Sequence, residues 1–119
     1  MQEESLGRRG EAAAAAYLER VGMTVVERNW RCRFGELDIV ALDETTLVLV
    51  EVKTRKSTAK GSPEEAVSET KQRKLLRLAE AYIAHSKISP TEIRFDVIAV
   101  QPISEDRALL RHHRAAFSA

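Results

Sequence analysis

From residue 24 to residue 53 the chain writes three short apolar runs separated by polar breaks. Residues 24–30 are rich in β-formers and predict a first strand. Gly35 opens a second run over 36–42, and the polar turn Asp43-Glu44-Thr45-Thr46 leads into a third over 47–53. The second and third runs are apolar at both parities, the pattern of strands covered on both faces. Ahead of them, residues 6–21 are alanine-rich and predict a helix, with Tyr17, Leu18 and Val21 available for a buried stripe and Gly22 ending it.

Beyond the third strand, residues 54–61 are polar, basic and flexible in composition. A second helix is predicted to start at Ser62 as N-cap, with Pro63 at its first position and Glu65 completing a capping box. Leu75, Leu78, Ala79, Tyr82 and Ile83 recur at helical spacing and give it a buried face, and it should end near residues 85–87. Ile93, Phe95, Val97 and Ala99 then alternate with Arg94 and Asp96, predicting a fourth strand that Pro102 ends. The segment from 104 is ambiguous between a short strand at Leu109-Leu110, a half-turn and disorder. The expected fold class is α/β, a mixed sheet flanked by helices in the order α-β-β-β-α-β, with one domain over 1–103 and a tail over 104–119.

With 119 residues the chain is long enough for one core and too short for two. It is 44% hydrophobic and 31% charged, ordinary for a soluble globular protein, and has no apolar run of membrane-spanning length. The acidic, polar start is the opposite of a secretory signal, and the lone Cys32 excludes an internal disulfide, so the reading is a cytoplasmic protein without a membrane. A net charge of +1 gives no global field for nucleic acid. The basic residues are nonetheless clustered, at Arg28-Arg31-Arg33, at Lys53-Arg55-Lys56-Lys60 and at Lys71-Arg73-Lys74-Arg77. Any one cluster reads as a solvated face; together they flank one candidate site.

That site is on the second hairpin. A turn centred on Glu44-Thr45 pairs residues whose numbers sum to 89, so Asp38 faces Glu51 and Glu36 faces Lys53. Two carboxylates opposed among Leu, Ile and Val repel and resist desolvation, which a divalent cation between them relieves. Oxygen ligands with open water positions suit Mg²⁺ or Mn²⁺. A metal on Asp38 and Glu51 can activate water and neutralise charge on a phosphate, and Lys53 on the same face can hold the water or the developing charge. Glu11, Lys71 and Gln72 are further candidates from the two helices, each balanced by a solvated-face reading. Arg94 and Asp96 read as a structural pair, and Tyr82 and Phe95 as core. His85, His112 and His113 lack ligand spacing. There is no phosphate-binding Gly-rich loop, no Gly-x-Ser-x-Gly elbow and no Rossmann fingerprint.

An acid on strand two followed by Glu-x-Lys on strand three, between two helices, resembles the PD-(D/E)xK nuclease superfamily. More closely the chain resembles the YraN-type family. The resemblance runs through Gly10-Glu11, Asn29, Arg31, Gly35-Glu36-Leu37-Asp38, Glu51-Val52-Lys53-Thr54-Arg55, Lys71-Gln72 and Arg94-Phe95-Asp96. It implies a restriction-endonuclease-like core in which Asp38 and Glu51 are the metal acids and Lys53 the catalytic lysine. Glu11 matches the first-helix glutamate of Holliday-junction-resolvase-like members, and Lys71 or Gln72 a polar position on the helix after the core strands. The superfamily's motif proline is replaced, since Glu36-Leu37 precedes Asp38. The expectation is a Mg²⁺-dependent DNA endonuclease, structure-specific in repair or recombination, with Arg31, Arg33, Arg55, Lys56 and Lys60 on phosphates. The alternative is a nuclease-fold module that binds nucleic acid or a partner protein without cutting. A homodimer, a protein partner in DNA processing and an RNA substrate all remain open.

Overall fold

The structure, a computed structural model, describes residues 2–55 and 68–117. Its elements run α1 (Gln2–Arg20), β1 (Thr24–Cys32), β2 (Gly35–Asp43), β3 (Thr46–Thr54), α2 (Glu69–Ser86), β4 (Glu92–Ser104) and β5 (Arg107–Phe117). The strands form one mixed sheet in the order β1-β2-β3-β4-β5. Neighbours are antiparallel except β3 and β4, which are parallel because α2 carries the chain across the sheet between them. α1 covers one face and α2 the other, as the two-parity apolar runs require. Ile39, Ala41, Val48 and Val50 pack under α1 with Ala14, Ala15 and Leu18. Val40, Leu47 and Leu49 pack under α2 with Leu78, Ala79 and Tyr82. No helix among the described residues is long and apolar enough to cross a membrane.

Local chemistry sets the helix ends. At Gly22, φ 101 lets the chain reverse, and the Met23 N–H donates to Leu18 O at 3.0 Å while the Gly22 N–H donates to Glu19 O at 3.1 Å. Met23 then joins Leu18 in the core, which completes this type of helix stop. α2 is capped by Ser68, whose hydroxyl accepts the Lys71 N–H at 3.1 Å. The predicted start at Ser62, Pro63 and Glu65 falls outside the described residues.

Two expectations are corrected at the C-terminal side. β4 runs through Pro102 to Ser104. Its pairing with β3 has ended at Thr54↔Val100, so proline sits where the strand has a neighbour on one side only. The segment from 104 takes the strand among its three expected alternatives, but as an eleven-residue edge strand, β5, rather than a short one at Leu109-Leu110. Its inward residues Ala108 and Leu110 pack on the α1-side core, but the next inward position is His112. A polar residue there hides the period-2 pattern. The expected Arg94–Asp96 pair is present, with Nε at 3.0 Å from Oδ1.

Candidate functional site

The β2–β3 ladder runs from Asp43↔Thr46 to Ile39↔Val50, the register set by the Glu44-Thr45 turn. It stops one pair short of Asp38 and Glu51. There the Asp38 Oδ2 accepts the Val52 N–H at 2.9 Å, so a carboxylate takes the place of the backbone bond. The reason for the break lies in β1. Arg28, opposite Ile39, reaches α1, whereas Trp30 and its partner Leu37 pack on the α2 side. Between them stand Asn29, in the left-handed region at φ 58, and Asp38. Asparagine tolerates that conformation better than most residues. The twist it introduces makes both strands change face together, and leaves Asp38 at the crossing.

Asp38 consequently borders two clefts. On the α1 side it lies with Glu11, Asn29, Val52 and Thr54. On the α2 side it lies with Glu36, Glu51, Lys71 and Lys74. Glu11 is held by Asn29 Nδ2 at 2.7 Å and Arg28 Nη2 at 3.3 Å, with its side chain only 12% exposed. The helix can come this close because residue 10 is glycine: a Cβ there would collide with the Thr54 hydroxyl. On the opposite side, Glu51 Oε2 accepts from Lys71 Nζ at 2.6 Å and lies 3.3 Å from Lys53 Nζ.

The two acids therefore differ electrically. Burial pushes Asp38 up to about 6 from 3.8, and the negative charges of Glu11, Glu51 and Glu36 add to it against the Val52 N–H. Burial also acts to raise Glu51, but the hydrogen bond from Lys71 and the charge of Lys53 outweigh it and hold Glu51 below the usual glutamate value. Among the described residues no three His, Cys, Asp or Glu side chains form an enclosed metal cage. A hard cation held by one or two carboxylates, with water and phosphate oxygens completing its shell, needs none. The donor set fits such an ion: its candidate ligands are carboxylate oxygens, and among the described residues the Asp38 carboxylate has negative neighbours and no cationic partner, so a divalent charge would return it to the ionised form.

Five predicted residues thus gather here: Asp38, Glu51, Lys53, Glu11 and Lys71. Gln72 is half-buried and is not among the residues lining either cleft. Glu36 pairs with Arg31 at 3.4 Å rather than with Lys53, because β2 leaves β3 at Ile39 and continues along β1 alone. Arg33 lies over Phe34 at 5.0 Å, and both Arg33 and Arg55 are exposed. Lys56 and Lys60 fall outside the described residues. Three residues were not singled out for these roles: Asn29 and Arg28, which fix Glu11, and Lys74, one turn beyond Lys71. The signal for Asn29 was an asparagine inside a β-rich run, where a left-handed residue breaks the pattern.

A family model described as "Uncharacterised protein family UPF0102" matches residues 10–100. The chain belongs to the UPF0102 family. Among its relatives, a UPF0102 protein of Nocardia farcinica is 44% identical over 115 residues, covering 97% of this chain and 91% of that protein. One from Geobacter sulfurreducens is 47% identical over 112 residues, covering 94% and 88%. One from an Arthrobacter species is 49% identical over 112 residues, covering 94% and 95%. The matched span of this UPF0102 chain includes Glu11, Asp38, Glu51, Lys53 and Lys71, and so takes in the whole candidate site.

Proposed function

We propose that the protein is a Mg²⁺- or Mn²⁺-dependent endonuclease acting on DNA, built on a restriction-endonuclease-like core, with branched or repair intermediates as its substrates. The observation that carries this reading is Asp38, an incompletely compensated half-buried carboxylate near Glu51 where the β2–β3 ladder ends, with two lysines within reach of that glutamate. Asp38 and Glu51 would hold the cation. When bound, it supplies Lewis-acid charge to a phosphate oxygen and makes a coordinated water more acidic.

The chain's own residues do the rest. Lys53 orients the attacking water and meets the charge that grows on the phosphate. Lys71, at 2.6 Å from Glu51, keeps that carboxylate ionised and aimed at the cleft. Glu11, fixed by Asn29 and Arg28, adds negative potential on the α1 side and strengthens the demand for a cation at Asp38. Arg31, Arg33 and Arg55 would grip phosphates without reading sequence, so affinity should fall steeply with salt.

A second reading is a binding module on the same fold, docking on nucleic acid or a partner protein. Its support is the Glu51 cluster, in which two lysines already balance the charge a metal would otherwise balance. Supercoiled and branched DNA, incubated with Mg²⁺ or Mn²⁺, separates the two. Cutting by the wild type that is lost in Asp38→Ala and Glu51→Ala supports the nuclease; binding without cutting, or equal cutting by the variants, rejects it.

A further inference from the structure

The cleft on the α2 side of Asp38 and Glu51 has an apolar floor that neither a metal nor a phosphate explains. Its volume is about 180 Å³. Leu37, Leu49, Leu78 and Phe95 line it, each no more than 3% exposed, with half-buried Leu75 beside them. Lys71 and Lys74 also line it, and the two acids of the candidate metal site lie along it. An apolar cavity of about 150 Å³ accepts a benzene molecule. The space beside the acids is therefore the size of one planar six-membered ring, with an apolar floor under a charged rim that includes Glu36, Asp38, Glu51, Lys71 and Lys74.

We infer that this pocket receives one unpaired pyrimidine base, so that the strand presented to Asp38 and Glu51 is single-stranded or carries an unpaired nucleotide there. The inference rests on the nuclease reading above and narrows its substrate class. A base in a duplex is stacked on both sides and cannot enter such a pocket without leaving the helix. With the ring inside, its phosphate stays outside with the lysines. Lys71 is engaged by Glu51, whereas Lys74 has no ion pair among the described residues and is the cation left to meet that phosphate. Gly35 gives Lys74 room, since a Cβ there would come 3.0 Å from its Cε. Purines, with a fused second ring, fit less well.

The test uses the full chain with Ca²⁺ in place of Mg²⁺, and fluorescence anisotropy on three strands of about twelve nucleotides: oligothymidylate, an abasic strand of equal charge, and a duplex. Oligothymidylate should bind about tenfold tighter than the other two. Leu75→Trp, which fills the pocket, should erase that difference and leave abasic binding unchanged; Leu75→Phe serves if the tryptophan variant does not fold. Equal wild-type affinities, or a difference that survives filling, would overturn the pocket. Cutting runs in Mg²⁺ separate it from the nuclease reading. If abasic and duplex strands are cut as fast as oligothymidylate, and Asp38→Ala abolishes this, the pocket is rejected and the nuclease stands. Base-dependent binding with no cutting of any strand does the reverse.

Discussion

Asp38 and Asp96 are two aspartates on neighbouring parts of one sheet, and the fold treats them in opposite ways. Burial raises the pKa of both. At Asp96, which is 1% exposed, the partners reverse the effect: His112 Nε2 at 2.7 Å, Arg94 at 3.0 Å and the Ala115 N–H at 3.0 Å bring it below the usual aspartate value. The network extends to Tyr17 on α1 through the other His112 nitrogen, and to Asp43 through Arg94. Asp38 has one backbone N–H and three negative neighbours. A saturated acid is part of the framework. An unsaturated acid in the same sheet is a cost that the framework carries, and such costs concentrate where a ligand offsets them.

The largest expected effect breaks the saturated side. Asp96→Ala leaves the buried His112 ring without its carboxylate and half-buried Arg94 with Asp43 alone, and should cost about 3–5 kcal/mol in urea unfolding. The pH dependence has a definite sign. Because the folded pKa of Asp96 lies below its unfolded value, its contribution is complete above that unfolded value and is lost as the pH falls through the folded one. Wild type should therefore lose stability on acidification more steeply than Asp96→Asn does, provided both still fold at neutral pH.

Gly10→Ala tests whether α1 serves both acids. The new Cβ meets the Thr54 hydroxyl, so the helix must move, at a cost of about 2 kcal/mol. Glu11 moves with it, and the same helix carries Tyr17 to His112. Thr54→Ala in the same chain should recover most of the loss, measured by thermal unfolding. Recovery of nothing would mean that the close approach at Gly10 is not what limits the packing.

Much of this comparison was legible in the sequence, for reasons tied to particular residues. The two-residue turn at Glu44-Thr45 sets the β2–β3 register, so the pairing down to Ile39↔Val50, one step short of Asp38 and Glu51, could be counted along the chain. Lys71 could be placed by its helical spacing from Leu75. What could not be counted was the face change at Asn29 and Asp38, because period-2 reasoning assumes that every strand residue is extended. Nor could His112 be read as the inward partner of Asp96: its role depends on a pairing with β4 that only the folded edge strand makes. Local periodicity finds apolar layers well and polar networks between layers poorly.

Asp38→Asn should stabilise the metal-free protein, the opposite of the result at Asp96. Asparagine keeps an oxygen to accept the Val52 N–H and removes the burdened charge. The folded pKa of about 6 lies above the ordinary 3.8, so the native state binds the extra proton and wild type gains stability as the pH falls from 6 towards 4. The gain from Asp38→Asn is thus present above about pH 6 and vanishes below about pH 4; with partial exposure discounted it is on the order of 1–2 kcal/mol. Adding Mg²⁺ at about ten times its dissociation constant should stabilise wild type by about 1.4 kcal/mol and leave the variant unmoved. A destabilised Asp38→Asn, insensitive to pH, would put Asp38 in the same class as Asp96.

The smallest effect reads one contribution alone. Glu11 is among the charges that raise Asp38, and Asn29 and Arg28 hold it in place. Glu11→Gln keeps the oxygen that accepts from Asn29 and deletes the charge. The Asp38 carboxyl, followed by carbon NMR, should then titrate lower, towards its ordinary value. Asp96, whose shift owes nothing to Glu11, should not move. If Asp38 stays put while cutting or metal affinity falls, Glu11 acts on the ligand directly and not through the acid beside it. An Asp38 shift with unchanged metal affinity would mean that the negative neighbours make Asp38 costly without making it a better ligand.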